Sequence, residues 1–404
     1  MQLDELDMPC LVIDEARMQH NIARMQRHMD ALGVSFRPHV KTSKCLDVVR
    51  QQRDAGARGI TVSTLKEAEE FFDGGFDDIF YAVAMAPNKV QRALALQARG
   101  CKLRLVVDSL AGAEAVLAAG AQAGIRPRVL IEVDVDGHRA GVLVESPLLV
   151  EIGTRLQSGG ADVLGVMSHA GSSYACSTSA ALVRIAEQER ARSVLAAECL
   201  RAAGLRCEVV SVGSTPTALS AQQLDGVTEV RAGVYVFFDL VMAGTTVCGL
   251  DEIALSVLTT VIGHQPARGW IMIDAGWMAL SRDRGTQEQA VDRGYGMVCD
   301  AAGTVLDGWT VSGANQEHGM VACTLAGAQD DIEKVFPIGT RLRILPNHAC
   351  ATGGAAWRLP RIARRGCKPE LAALHGLVTY PSRNRSATAC TVARFVSRPA
   401  RPIA

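Results

Sequence analysis

Ser35-Phe36-Arg37-Pro38-His39-Val40-Lys41-Thr42-Ser43-Lys44 is a β-prone run that delivers a lysine at its carboxyl end, with a helical pattern opening at Ser43. A strand-to-helix junction of this kind is where a barrel scaffold presents a nucleophilic amine to a cofactor. Taken alone, Lys41 is as well explained as a solvated strand-end cap. The segments on either side decide between the two.

Residues 15–245 alternate strand-like and helix-like segments. Apolar, β-branched runs fall near 34–40, 59–64, 78–84, 102–108, 128–135, 161–169, 208–213 and 228–233. Between them lie segments with helical spacing of apolar positions, including 65–73, 87–98, 110–124 and 178–204. Eight strands alternating with helices predict a (β/α)8 TIM barrel. A doubly wound open sheet is the alternative, but it requires no count of eight. Polar residues gather at the carboxyl ends of these runs: Lys41, Ser63-Thr64, Asp108, Asp136 to Arg139, Ser168-His169, Gly213 to Thr215 and Arg231 to Gly233. In a barrel those ends converge on one mouth, where active sites are built.

After about residue 245 the texture becomes β-rich, with Gly or Asn between segments such as Glu252–Gly263, Gly269–Ile273 and Thr340–Leu345. This predicts a second, mostly antiparallel domain formed by 246–356 together with 1–14, in which Pro9 to Ile13 supplies a strand. Residues 357–404 form an Arg-rich tail of different composition. From Arg358 onward there are ten Lys/Arg and one acid, Glu370.

The 404 residues are 48% hydrophobic, enough for a large core and for two domains. Lys+Arg and Asp+Glu are both 42, which gives no electrostatic reason to expect nucleic acid or an acidic membrane as partner. Twelve cysteines without a CxxC pair suit reduced thiols in a cytosol. The acidic start lacks the regions of a signal peptide, and no uncharged apolar stretch would span a bilayer, so a cytoplasmic location is expected.

Two loops carry anion-binding character. Gly213-Ser214-Thr215-Pro216-Thr217 follows the seventh strand, and Arg231-Ala232-Gly233-Val234-Tyr235 lies at the eighth. Small residues with free N–H groups and hydroxyls suit a phosphate, and barrels often bind phosphate at these two positions. Each loop alone also reads as an ordinary turn. A lysine at the first strand and a phosphate cup at the last two suit pyridoxal 5′-phosphate (PLP). Arg139 is then a candidate to polarise the cofactor's phenolic oxygen, or else a partner for Asp134 or Asp136. Finally, spacing of two along an extended chain would set His348 and Cys350 on one side, and imidazole with thiolate suits Zn²⁺. A buried histidine and a small buried cysteine is the competing reading.

Met8 to Asp14, Arg37 to Thr42, Ser168-His169-Ala170-Gly171-Ser172-Ser173-Tyr174, Gly213 to Thr217, Glu317-His318-Gly319 and Pro346 to Cys350 together resemble the D-serine dehydratase/D-threonine aldolase family, in order from about residue 8 to about 356. The resemblance implies an alanine racemase-like barrel and PLP held covalently by Lys41. It places Ser214, Thr215, Gly233 and Val234 at the phosphate, with Tyr174, His169 and Arg139 around the ring. It assigns Zn²⁺ to His348 and Cys350 beside the substrate's β-hydroxyl, and it implies a homodimer. The aldolase branch typically has His-x-Asp at the metal pair, a harder set suited to Mn²⁺ or Mg²⁺; the thiolate here suits Zn²⁺. The expected reaction is therefore dehydration of a small 3-hydroxy-D-amino acid, giving oxaloacetate from 3-hydroxyaspartate or pyruvate from D-serine, with ammonia. Retro-aldol cleavage to glycine and an aldehyde, and non-catalytic PLP binding, are the alternatives.

Overall fold

The computed structural model describes residues 6–325 and 331–355. The Arg-rich segment 357–404 lies outside them. The chain divides into two compact units. One comprises Ile22–Lys41 and Val48–Tyr235; the other holds the residues before Ile22, Thr42–Asp47 and the described residues from Val236 onward. Their first elements in the chain are β1 (Cys10–Ile13) and α1 (Glu15–Ala31).

The unit built on Val48–Tyr235 contains the eight expected strands. They are β2 (Ser35–Pro38), β3 (Ile60–Val62), β4 (Ile79–Ala84), β5 (Arg104–Val107), β6 (Arg128–Asp134), β8 (Asp162–Met167), β9 (Val209–Val212) and β10 (Glu229–Ala232), with a short β7 (Val142–Leu143) added beside β6. Their order is β2-β10-β9-β8-β6-β5-β4-β3, and every pairing is parallel. A parallel bridge between His39 and Thr61 joins the two ends, so the sheet nearly closes. The crossovers are α2 (Leu46–Asp54), α3 (Leu65–Asp73), α4 (Pro87–Ala98), α5 (Leu110–Ala123), α6 (Leu148–Ser158), α7 (Ser179–Ala202) and the short α8 (Thr215–Ser220). Local chemistry sets their starts: Thr64, Ser109 and Thr178 cap α3, α5 and α7 through their hydroxyls.

One expectation fails here. The helix after Lys41 opens at Leu46 rather than Ser43, because Lys44 adopts a left-handed conformation (φ 43°) that no helix can propagate through.

Strand side chains alternate between two faces, and the inward set fills the barrel. Phe80, Val106, Leu130 and Met167 form one apolar cluster. Two residues toward the amino ends, the lining becomes charged. Arg37 Nε donates to Glu229 Oε2 at 2.7 Å, and its Nη2 donates to Asp78 Oδ2 at 2.9 Å. Arg104 bridges the same two acids at 3.1 and 3.2 Å. Gly59 makes room for this network: it has φ +67°, and a Cβ there would overlap the Arg37 guanidinium. The four charges thus link β2 and β10, the terminal pair in sequence, to the segments entering β4 and β5.

In the other unit, β11 (Leu255–Gln265), β12 (Trp270–Ile273), β13 (Met297–Asp300), β14 (Val305–Ala314), β15 (Gly319–Cys323) and β16 (Arg341–Leu345) form an antiparallel ring. Its order is β11-β12-β15-β14-β13-β16, with β16 pairing back onto β11, and β1 adds to β11 from outside the ring. Closure removes the exposed edges that an open antiparallel sheet would leave. Short helices α9 (Leu240–Gly244), α10 (Trp277–Leu280), α11 (Ile332–Val335) and α12 (Ala349–Ala355) connect or follow these strands. The described cysteines form no disulfide, and no helix among the described residues is long and apolar enough to cross a membrane.

Burial alone would raise the Glu229 carboxyl, but Arg37 and Arg104 outweigh it and hold the group down at about 2. Removing this acid takes away one of the two carboxylates that a pair of largely buried guanidinium groups share, so Glu229→Ala should cost about 3–5 kcal/mol in urea unfolding. The same carboxylate stabilises the fold above its ordinary pKa. Stability should therefore fall as pH drops from about 4.5 toward 2, and the variant should show a shallower acid limb. Equal acid limbs in the two proteins would exclude Glu229 as the cause.

Candidate active site

The carboxyl ends of the barrel strands assemble a mouth around Lys41. Lys41 follows β2 by three residues, and its backbone N–H donates to His39 Nδ1 at 3.5 Å. That bond makes Nδ1 the acceptor, so the hydrogen of a neutral ring lies on Nε2, 3.3 Å from Ser63 Oγ beyond β3. Burial, with Lys41, Arg231 and His169 around it, keeps His39 well below the usual histidine range. His169, after β8, meets the Gly213 carbonyl through Nδ1 at 3.0 Å, and burial takes it down to about 4. Both rings are therefore neutral at pH 7. The Tyr174 ring lies 6.2 Å from that of His169, tilted by 47°.

Beyond β6 the structure corrects the alternative reading of Arg139. Its charged partner is Glu132, at 3.6 Å, and neither Asp134 nor Asp136. Asp134 Oδ1 instead accepts the backbone N–H groups of Asp136 and Gly137, closing the turn, and Asp136 takes both N–H and hydroxyl of Ser172. Burial raises the Glu132 carboxyl, opposed by Arg139.

After β9 and β10 the chain forms two short, buried turns. Ser214 caps α8 in a reciprocal box with Thr217, and its hydroxyl lies 2.9 Å from Ser173 Oγ. Thr215 is the first residue of α8, and Val234 opens a 3-10 turn directly after Gly233. First-turn N–H groups have no partner within their own helix. Gly213 has φ +131°, and a Cβ there would overlap the Arg231 carbonyl oxygen, so the two loops pack as closely as glycine allows. This donor set, neutral and rich in N–H and hydroxyl groups, fits a phosphate ester.

The residue that organises the cup escaped the sequence reading. Glu189, on α7, is buried. Its Oε1 accepts from the N–H groups of Ala170 and Gly213 at 2.9 and 3.0 Å, and its Oε2 from Thr217 Oγ1 at 2.7 Å. One carboxylate thereby ties the loop after β8 to the loop after β9. The signal was available: Leu182, Ala186, Glu189, Ser193 and Ala196 share the buried stripe of α7, where a glutamate is out of place unless paired.

In the second unit, His348 and Cys350 stand at the start of α12 rather than on an extended chain. The helix begins at Ala349 because the buried Asp239 carboxylate accepts the Ala349 N–H at 2.8 Å while also capping α9 at Met242. The two side chains still meet across that start, in a hydrogen bond between imidazole and thiol. His348 Nδ1 faces Asp283 Oδ2 at 2.8 Å. Burial would lower the imidazole, but Asp283 and Cys350 prevail and raise it to about 11. Cys350 Sγ lies 3.0 Å from the hydroxyl of Thr42, the residue after Lys41. An imidazole whose far nitrogen is held by a carboxylate, paired with a thiol, fits a soft divalent metal such as Zn²⁺. Among the described residues no group of three His, Cys, Asp or Glu is arranged to hold a metal, so this pair would leave the remaining positions to substrate and water.

Residues 13–241 match the alanine racemase N-terminal domain, and residues 254–359 match the putative serine dehydratase domain. The chain is 59% identical to D-threo-3-hydroxyaspartate dehydratase of Delftia sp. (strain HT23), over 92% of this chain and 98% of that protein. It is 28% identical to D-serine dehydratase of Dictyostelium discoideum, over 87% and 92% respectively. A solved structure of a D-threo-3-hydroxyaspartate dehydratase variant in its metal-free form superimposes with a TM-score of 0.90 at 58% identity, covering 92% of this chain and 99% of that one. The chain belongs to the alanine racemase-fold family of D-serine dehydratases and D-threonine aldolases, in which that barrel domain is followed by a serine dehydratase domain.

Proposed function

We propose that this chain is a lyase that dehydrates 3-hydroxy-D-amino acids, D-threo-3-hydroxyaspartate foremost, releasing oxaloacetate and ammonia with PLP and a divalent metal. The observation that carries this reading is the His348-Ala349-Cys350 pair, with its Asp283 partner, in a chain 59% identical to a dehydratase of that substrate.

PLP would be held by Lys41 Nζ at its aldehyde, by the N–H groups of Thr215, Gly233 and Val234 and the Ser214 turn at its phosphate, and by Arg139, His169 and Tyr174 around its ring; it supplies an electron sink for charge left at Cα. His348 Nε2 and Cys350 Sγ would hold Zn²⁺, which would supply Lewis-acid polarisation of the β-hydroxyl.

The chain's own residues do the rest. Lys41 Nζ would act as the base that takes the Cα proton. Acting from one face, it reaches a single Cα hydrogen, which selects the D configuration. His39 and His169, neutral at pH 7, add no positive charge around that amine. Arg139, paired with Glu132 at 3.6 Å, would face the ring oxygen of the cofactor. Loss of the Cα proton and the β-hydroxyl leaves an unsaturated amine, which hydrolyses in water to the oxoacid and ammonia.

Lys41→Ala should lose both the long-wavelength absorbance of the bound cofactor and elimination, by at least the 10²–10⁴-fold typical of a proton-transfer group. A retained band with turnover would remove Lys41 from the role. Chelation should abolish elimination and Zn²⁺ should restore it; full activity in a metal-free sample would take His348 and Cys350 out of the reaction. Incubation with D-threo-3-hydroxyaspartate should give ammonia and oxaloacetate, whereas glycine and an aldehyde as main products would establish retro-aldol cleavage instead.

A further inference from the structure

We propose that Asp283 and Thr42 are positioning residues for the metal-holding pair, Asp283 setting the ring of His348 and Thr42 setting the sulfur of Cys350. This deepens the reading above and rests on the metal role it gives that pair.

A carboxylate only accepts hydrogen bonds. With Asp283 Oδ2 at 2.8 Å, Nδ1 of His348 carries a hydrogen, and in the neutral ligand the lone pair is confined to Nε2. Asp283 is itself fixed on three further sides. Its Oδ1 accepts the Gly285 N–H at 2.8 Å, its own N–H donates to Ser281 Oγ at 3.0 Å, and its carbonyl accepts Asn347 Nδ2 at 3.1 Å. The last bond ties the Asp283 backbone to the residue next to His348, so acid and imidazole are joined twice. Ser281 holds φ 77° and ψ 163°, a region that non-glycine residues avoid, and it does so at the turn that presents Asp283.

Cys350 has the complementary arrangement. Thr42 is buried, and its hydroxyl lies 3.0 Å from Cys350 Sγ. A metal-bound thiolate is an acceptor only, so Thr42 Oγ1 donates, which restrains the rotation of the Cys350 side chain.

The test is Zn²⁺ affinity, measured on the PLP-loaded enzyme by competition with a chromogenic chelator, for wild type, Asp283→Ala, Asp283→Asn, Thr42→Val and Thr42→Ser. Asp283→Ala and Thr42→Val should each bind Zn²⁺ about 10–100-fold more weakly with the cofactor band unchanged. Asp283→Asn, whose amide oxygen still accepts from Nδ1, and Thr42→Ser should recover most of the loss. Thr42→Val keeps shape and volume, so its result stands even if an Asp283 variant folds poorly. Unchanged affinity in the Ala and Val variants would overturn the proposal. So would an Asn variant as weak as the Ala variant, since the charge of Asp283 and not its hydrogen bond to Nδ1 would then carry the effect. Tight Zn²⁺ binding by wild type in such a case leaves the proposed function standing, whereas a wild type that takes up no Zn²⁺ sinks both.

Discussion

The barrel depends on a charge network that closes it from within. Arg37 and Arg104 share Glu229 and Asp78 among the inward positions of β2, β5 and β10 and the entry to β4. Separated ions would pay a desolvation cost of several kcal/mol each in such a place. Bidentate geometry and shared partners offset that cost, and they do so only when the first and last strands lie side by side. The network is thus a register device: a slipped strand would leave at least one charge without its partner. Everything at the mouth inherits this register, because Lys41, Gly213 and Gly233 are each a few residues beyond a strand whose inward phase is set below.

At the mouth, a second buried acid repeats the principle on a smaller scale. Glu189 collects donors from two loops and from Thr217, so the loops after β8 and β9 hold their shape without a ligand. A cup preorganised in this way spends little conformational entropy on binding an anion. The histidines nearby stay neutral because burial disfavours the charged ring, and the cations Lys41 and Arg231 add to that effect. Positive charge is thereby concentrated on groups that bind or transfer protons.

The antiparallel unit presents His348 and Cys350 at the exit of β16. Asp239 caps two helices at once, fixing the backbone of Ala349 between His348 and Cys350. Asp283 and Thr42 then hold the two side chains from different segments of the chain. The pair is displayed by the start of a helix, although its spacing suggested a strand. A seven-residue run of Ala, Gly, Cys and Thr has neither alternation nor a helical stripe, and tertiary contacts hold it: Asp239 at Ala349 and the Leu280 carbonyl at Thr352.

Alternation of apolar and polar residues, helix caps and turn glycines are local properties, and they determine the eight barrel strands, their long helices and the polar residues at their ends. The glycine- and hydroxyl-rich turns after β9 and β10 are legible for the same reason, since glycine, serine and threonine act through their own backbone. Three kinds of feature were decided only by tertiary structure. The Glu229–Arg37 pair spans 192 residues, Thr42–Cys350 spans 308 and Asp283–His348 spans 65. Arg139 pairs with Glu132, while Asp134 accepts backbone N–H groups of its own turn and Asp136 accepts the N–H and hydroxyl of Ser172. An ion pair or shared hydrogen bond depends on which segments meet in space, and a charged residue has the same local signature whether it caps a turn or orients a ligand.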